Sequence, residues 1–266
     1  EPEGVAGAGL ADDAVVGESA RSLFADAQAM LKQIVSEKWL TAKGVAGFWP
    51  CRREGDDVIV TTNAASGGEV RLPFLRQQIS KRADKPNMCL ADFISPDGDW
   101  IGGFAVTAGH GIDEHLARFK AANDDYSDIL LKALADRLAE AFAERMHEYV
   151  RTTLWGYAPD EKLSNEELIR EKYQGIRPAP GYPACPEHSL KPMLFDLLDA
   201  TTATGITLTE HFAMLPTAAV SGFYFAHPEA SYFGVARIGE DQLTDYATRR
   251  NVSREQAERW LRPNLS

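Results

Sequence analysis

The 266-residue chain predicts an α+β fold, a single domain in which long helices pack on an antiparallel β-sheet. Two stretches, from Gly17 to about Lys38 and from Asp124 to Trp155, place apolar residues at three- and four-residue steps, the helical period. Between and after them, short β-branched and aromatic runs come in groups bounded by Gly, Pro and Asp. There is no βαβ alternation and no internal repeat, so the strands read as antiparallel. At 44% hydrophobic and 25% charged residues, the chain has apolar material for a sizeable core.

Residues 1 to 12 are Gly- and Ala-rich and read as a flexible or trimmed segment before a domain spanning 13–266. In the first helix Ala20, Leu23, Phe24, Ala27, Leu31, Ile34 and Val35 form the stripe expected to face the core. Gly44 to Cys51 reads as a buried strand ending at Pro50. Val58 to Thr62 follows the turn signal Glu54-Gly55-Asp56-Asp57, and Glu69 to Leu72 is its hairpin partner across Gly67-Gly68. Phe74 to Arg82 is expected to be a short helix. Cys89 to Ile94 is expected to be a strand carrying Asp92, and Trp100 to Ala108 another, with Gly102 and Gly103 marking a bend or bulge.

Ile112 to Lys120 is helical, and the Asp124–Trp155 helix, at ~1.5 Å per residue, would reach about 45 Å and form the spine of the domain. Glu140 and Glu144 lie on it one turn apart, where two solvated carboxylates are the plain expectation. Ser164-Asn-Glu-Glu167 is a capping box for a helix through Lys172. Ser189 to Asp199 is helical. Ile206–Leu208, Val220–Ala226 and Ser231–Arg237 read as strands, the last two joined tightly by His227-Pro228-Glu229. Glu240–Arg249 and Ser253–Leu261 close the chain as helices.

Several classes of function are disfavoured. A formal charge of −11 argues against general nucleic-acid binding. No apolar run approaches the ~18 residues of a membrane span. The opening Glu1-Pro-Glu-Gly does not read as a signal peptide. Cys51, Cys89 and Cys185 are far apart with no CxxC pair, as expected of reduced cytoplasmic thiols. The six histidines show no metal-ligand spacing, and no metal is expected on this chain. GxGxxG after a strand, P-loop, GxSxG and HExxH motifs are absent, so no catalytic residue is assigned.

The densest local signal is Arg177-Pro-Ala-Pro-Gly-Tyr-Pro-Ala-Cys-Pro-Glu-His188, with four prolines in twelve residues. Proline fixes φ and extends the preceding residue, so the segment is stiff before any ligand arrives. Gly181 permits positive φ or close approach, Arg177 carries a fork suited to a carboxylate, and Tyr182 offers an aromatic face. Such a loop reads equally as the edge of a site for a small zwitterion and as a stiff connection with Arg177 in a surface ion pair.

This loop resembles the signature of the activation domain at the C-terminus of cobalamin-dependent methionine synthase. Ala135-Asp-Arg-Leu-Ala-Glu-Ala-Phe-Ala-Glu144, Trp155-Gly-Tyr-Ala-Pro159, Ser164 to Arg170, Tyr173 to Pro178, Val220-Ser-Gly-Phe-Tyr-Phe225 and Glu258 to Leu265 are similar to the same family, in order, from about Asp13 to the end. The resemblance implies a domain that binds S-adenosylmethionine and presents its methyl group for reductive remethylation of cob(II)alamin, as part of methionine biosynthesis. The cobalamin is held by another domain of the methyltransferase, and a reduced flavoprotein such as flavodoxin supplies the electron. A stand-alone S-adenosylmethionine-binding module serving another corrinoid protein is the alternative. The family's Asp-x-His-x-x-Gly cobalamin motif does not occur here, so this chain is not expected to ligate cobalt.

The resemblance also carries site residues. Arg177 is implied to contact the ligand, and Ala179, Gly181 and Tyr182 to meet the adenine through their backbone. Tyr232 and Phe233 match adjacent tyrosines, so a hydroxyl is lost at Phe233 while the ring remains. Glu140 and Glu171 match acids near the ligand, where a carboxylate would favour a sulfonium. The family's Asp-Trp-Thr-Pro-Phe stretch, whose aspartate holds the ligand's amine, is not among these residues. Asp92 is the candidate substitute; without one the loss would be ~1.5–3 kcal/mol.

Overall fold

The computed structural model describes residues 17–63, 68–82 and 84–265. The N-terminal segment 1–12 and Gly67 of the expected hairpin turn lie outside them. The chain folds into two compact units that alternate along the sequence. Among the described residues the first draws on 17–43, Val106–Tyr173 and Met214–Val220, the second on Gly44–Ala105, Gln174–Ala213 and 221–265.

The first unit is helical. It contains α1 (Gly17–Ser36), α2 (Ile112–Ala121), α3 (Asp125–Tyr149) and α4 (Asn165–Ile169). Asp124 starts α3 by accepting the Ser127 N–H at 3.0 Å, satisfying one of the donors a helix start leaves open. Leu131, Ala135, Ala139, Ala143 and His147 are buried at steps of four, a seam narrow enough for close packing. Leu131 packs with Met30, Ile34 and Trp39, and Ala135 and Ala139 with Ala108 and Ala218. α3 continues as a π-helical turn, Val150–Leu154. The fully buried Arg151 there pairs with Glu161, its Nε 2.8 Å and its Nη2 2.6 Å from the two carboxylate oxygens. Its guanidinium also lies 4.4 Å from the Tyr173 ring centroid.

Of the stripe expected on α1 only Ile34 is buried; Ala20, Ala27 and Leu31 are half-buried, and Leu23, Phe24 and Val35 are 51%, 58% and 68% exposed, while Met30, outside that stripe, is buried. On α3, Ile129 likewise faces solvent. Helical periodicity identified the helices, but the apolar arc is wider than the face their neighbours cover.

The second unit holds most of the antiparallel sheet expected from the sequence. β1 (Thr41–Glu54), β2 (Asp57–Asn63), β3 (Gly68–Pro73), β4 (Asp99–His110) and β7 (Ala219–Tyr224) lie in the order β3-β2-β1-β4-β7. The short strands β5 (Thr207–Leu208) and β6 (Met214–Leu215) precede β7 in the chain. β1 and β2 form a hairpin with Glu54 opposite Asp57, and Gly55 takes φ +62° in the two-residue turn. β2 pairs antiparallel with β3, Val58 opposite Leu72. The helices are α5 (Leu190–Leu198), α6 (Ala200–Thr204), α7 (Glu240–Arg250) and α8 (Arg254–Leu261). Leu243, Tyr246, Ala257 and Leu261 of α7 and α8 close a core with Leu75, Val235 and Ile238. No helix among the described residues is long and apolar enough to cross a membrane.

Four local expectations are corrected. Residues 74–82 form no helix. Their backbone is drawn out by distant partners: Phe74 N–H to Asp56 O, Arg76 N–H to Gln242 Oε1 and Gln77 N–H to Met88 O. Leu90–Phe93 is a 3-10 turn instead of a strand, because Asp92 reaches back to the Cys89 N–H at 2.9 Å. Residues 231–237 join no ladder, and Ala236 turns the backbone with φ +60°. β1 runs through the exposed Pro50, which lies just outside the β2 pairing that begins at Cys51 opposite Val60. Gly103 serves packing: a Cβ there would stand 2.6 Å from Leu194 Cδ1.

Candidate ligand-binding loop

Within the second unit the proline-rich segment is tied down along its length. Ile176 and Phe225 exchange backbone hydrogen bonds at 2.9 and 3.0 Å, and the Phe223 N–H donates to Pro178 O at 2.9 Å. The loop therefore begins as an extra extended segment beside β7. Gly222 permits this approach, since a Cβ would lie 2.7 Å from Pro178 O and 3.3 Å from Ala179 Cα.

The loop then turns on itself. The Tyr182 N–H donates to Ala179 O at 3.1 Å, the Gly181 N–H to Cys185 O at 2.7 Å and the Cys185 N–H to Tyr182 O at 2.9 Å. Gly181 has φ +102°, a conformation that side chains rarely adopt. The Val235 N–H donates to Pro183 O at 2.8 Å, which ties the 231–237 segment to the loop. Prolines remove N–H groups and the turn consumes those of Gly181 and Tyr182. That leaves the Ala179 N–H as the remaining backbone donor between 179 and 182.

Two expected site residues meet directly. The Arg177 N–H donates to the Tyr232 hydroxyl at 2.9 Å, across 55 positions of sequence. Tyr232 and Tyr182 are both exposed, at 37% and 56%. The Phe233 ring packs at 6.4 Å from that of Phe93. It also packs against the apolar cluster that holds Leu75, Val235 and Leu243, as suits a ring without a hydroxyl.

Behind the loop lies a buried polar cluster. Glu187, 2% exposed, accepts hydrogen bonds from the Ser189 N–H, the Ser189 hydroxyl and, at 2.9 Å, the Tyr246 hydroxyl. Burial and the Glu187 charge push the Tyr246 phenol well above its ordinary range. Arg250 donates to the Ser189 hydroxyl at 2.8 Å. Lys191 donates to Phe212 O at 2.9 Å and stands 3.1 Å from His188 Nδ1. Burial lowers the pKa of Lys191; burial first and then the Lys191 charge lower that of His188.

A model of the vitamin B12-dependent methionine synthase activation domain matches residues 6–251. The chain belongs to that family. The crystal structure of the MetH reactivation domain bound to AdoHcy is similar to it, with a TM-score of 0.92 and 52% sequence identity over 97% of this chain and 80% of that one.

In this activation domain Arg177, Ala179, Gly181, Tyr182, Tyr232 and Phe233 all belong to the second unit, and Glu140 and Glu171 to the first. Glu140 is exposed on α3. Glu171 is exposed past the end of α4, with φ +54°, and its N–H closes the last turn on Leu168 O. Asp92 is committed elsewhere. Its oxygens accept from Arg76 at 2.7 and 2.8 Å, from Arg53 at 3.3 Å and from the Cys89 N–H, which leaves it a structural anchor. Sequence reasoning assigned nothing to Gly222, Glu187, His188 or Lys191. The Gly within an apolar strand and the ionisable residues closing a proline run were the available signals.

Proposed function

We propose that this domain binds S-adenosylmethionine on the 177–182 loop and presents it to a cobalamin held by another domain of methionine synthase. The observation that carries this reading is the 52% identity, over nearly the whole chain, to a reactivation domain with AdoHcy bound. The loop's own chemistry is compatible. A turn closed by its own hydrogen bonds before any ligand arrives loses little freedom on binding. Arg177 supplies a planar cation for the ligand's carboxylate, and its backbone is held by Tyr232. The Ala179 N–H and the loop carbonyls offer edges for adenine.

When bound, S-adenosylmethionine supplies an electrophilic methyl on a sulfonium. The domain contributes position, not a nucleophile. It acts within a methyltransferase of methionine biosynthesis, in the cytoplasm, with reduced flavodoxin or a similar flavoprotein as electron donor. Glu140 and Glu171 keep the ligand-contact role that the resemblance implies.

Calorimetric titration of this chain with S-adenosylmethionine tests the reading. Saturable binding is expected, and Arg177→Ala should weaken it at least ~10-fold, the scale of a charged hydrogen bond, with an unchanged melting temperature. No saturable heat from the native chain would overturn the function. An unchanged dissociation constant in the variant would remove Arg177 from the site.

A further inference from the structure

We infer that His188 and Lys191 are positioning residues for the ligand loop: the neutral imidazole, held by the lysine, is the strut on which the Gly181–Tyr182 apex rests. This deepens the S-adenosylmethionine reading and rests on it. The contact is close. A Cβ on Gly181 would lie 2.1 Å from His188 Cε1, 2.7 Å from Nδ1 and 2.8 Å from Nε2, so the ring lies directly against the bare Cα. The same glycine donates to Cys185 O, so the ring packs beneath a turn that is itself closed.

The protonation state follows from the partners. Lys191 is only 7% exposed, and its ammonium donates to Phe212 O and stands 3.1 Å from His188 Nδ1. An ammonium has donors only, so Nδ1 is the acceptor and the ring proton sits on Nε2. Nδ1 is then the one place where a further proton can go. Adding it replaces an acceptor with a second cation aimed at the first.

Among the other charged and titratable groups around the pair, Glu187 partly offsets this: its charge favours the protonated forms of His188 and Lys191, but burial and, for His188, the lysine outweigh it. Glu187 is itself engaged with Ser189 and Tyr246, Arg250 reaches the same serine, and Cys185 is a buried thiol whose pKa is raised by burial. Burial and Lys191 also place the His188 pKa below the ordinary histidine value. The sign follows. The strut is intact above ~6.5, the free histidine value, and is lost as pH falls through the lowered pKa of His188.

The test compares S-adenosylmethionine affinity of the native chain and of His188→Gln between pH 8 and 5.5, alongside an NMR titration of the His188 Cε1 proton. The native chain should lose affinity as pH falls through the His188 pKa read by NMR, about tenfold for each unit below it. His188→Gln keeps an acceptor for Lys191 without titrating, and should give a flat profile. The His188 resonance should titrate below the ordinary histidine value and move up in Lys191→Met. Equal pH profiles in native and variant chains, or a His188 pKa indifferent to Lys191→Met, would overturn the strut. Absence of binding at every pH would overturn the ligand assignment instead, and the NMR titration would still decide the His188–Lys191 pairing.

Discussion

A methyl group on residue 181 would have to occupy the space of the His188 ring, and the backbone there, at φ +102°, already disfavours any side chain. Gly181→Ala therefore combines a clash with backbone strain of about 1–3 kcal/mol. The clash is relieved either by opening the 181–185 turn or by expelling the histidine. Lower thermal stability and weakened S-adenosylmethionine binding are the expected outcomes, read by melting curves and calorimetry. A fully stable variant with native affinity would show that the loop is softer than its hydrogen bonds imply. Gly222 is a second position of this kind, but it is legible only in hindsight. The sequence Val220-Ser-Gly-Phe-Tyr-Phe225 announces a strand, and nothing in it says that the proline loop will pass within 3.3 Å of a Cβ at its centre.

At the scale of elements, the π-helical turn that ends α3 depends on one ion pair. Arg151 has no solvent exposure and Glu161 is 8% exposed, so the carboxylate is what makes burying the guanidinium tolerable. Removing one partner of such a pair leaves an uncompensated charge. Glu161→Ala should accordingly destabilise the chain by about 3–5 kcal/mol in urea unfolding. A loss below ~1 kcal/mol, the scale of a surface pair, would show that water reaches Arg151 in solution. Local rules read the element boundaries well where side chain and backbone cooperate over a few residues. The Ser164 and Glu167 capping box and the Ser253 cap are both present. They failed where remote groups decide. Residues 74–82 have the composition of a helix, yet their N–H groups are taken by Asp56, Met88 and Gln242. Cys89–Ile94 has the composition of a strand, yet Asp92 curls it into a turn that Arg76 then holds at 2.7 and 2.8 Å.

For the molecule as a whole, the three cysteines report on global opening. Cys51, Cys89 and Cys185 are all buried and reduced. Burial above all pushes the thiols of Cys51 and Cys89 up to about 12, and that of Cys185 higher still. The thiolate is the reactive form, so at pH 8 the native chain should show no fast-reacting thiol towards an aromatic disulfide reagent. In guanidinium all three should react. A burst of one equivalent from the folded chain would place a cysteine on an accessible, mobile segment.

The sequence by itself determined the fold class, the order of most helices and strands, the family, and the stiffness of the 177–188 loop. These depend on periodicity, proline content and capping pairs, all of which act within a few residues of chain. The tertiary structure decided which apolar faces are covered, that Asp92 is an anchor for Arg76, and that Arg177 is held by a tyrosine 55 positions away. It also decided that His188 and Lys191 stand behind the loop apex. Those outcomes depend on which distant backbone donors and acceptors are brought within hydrogen-bonding distance. No local pattern encodes that, because each partner is chosen by the packing of the rest.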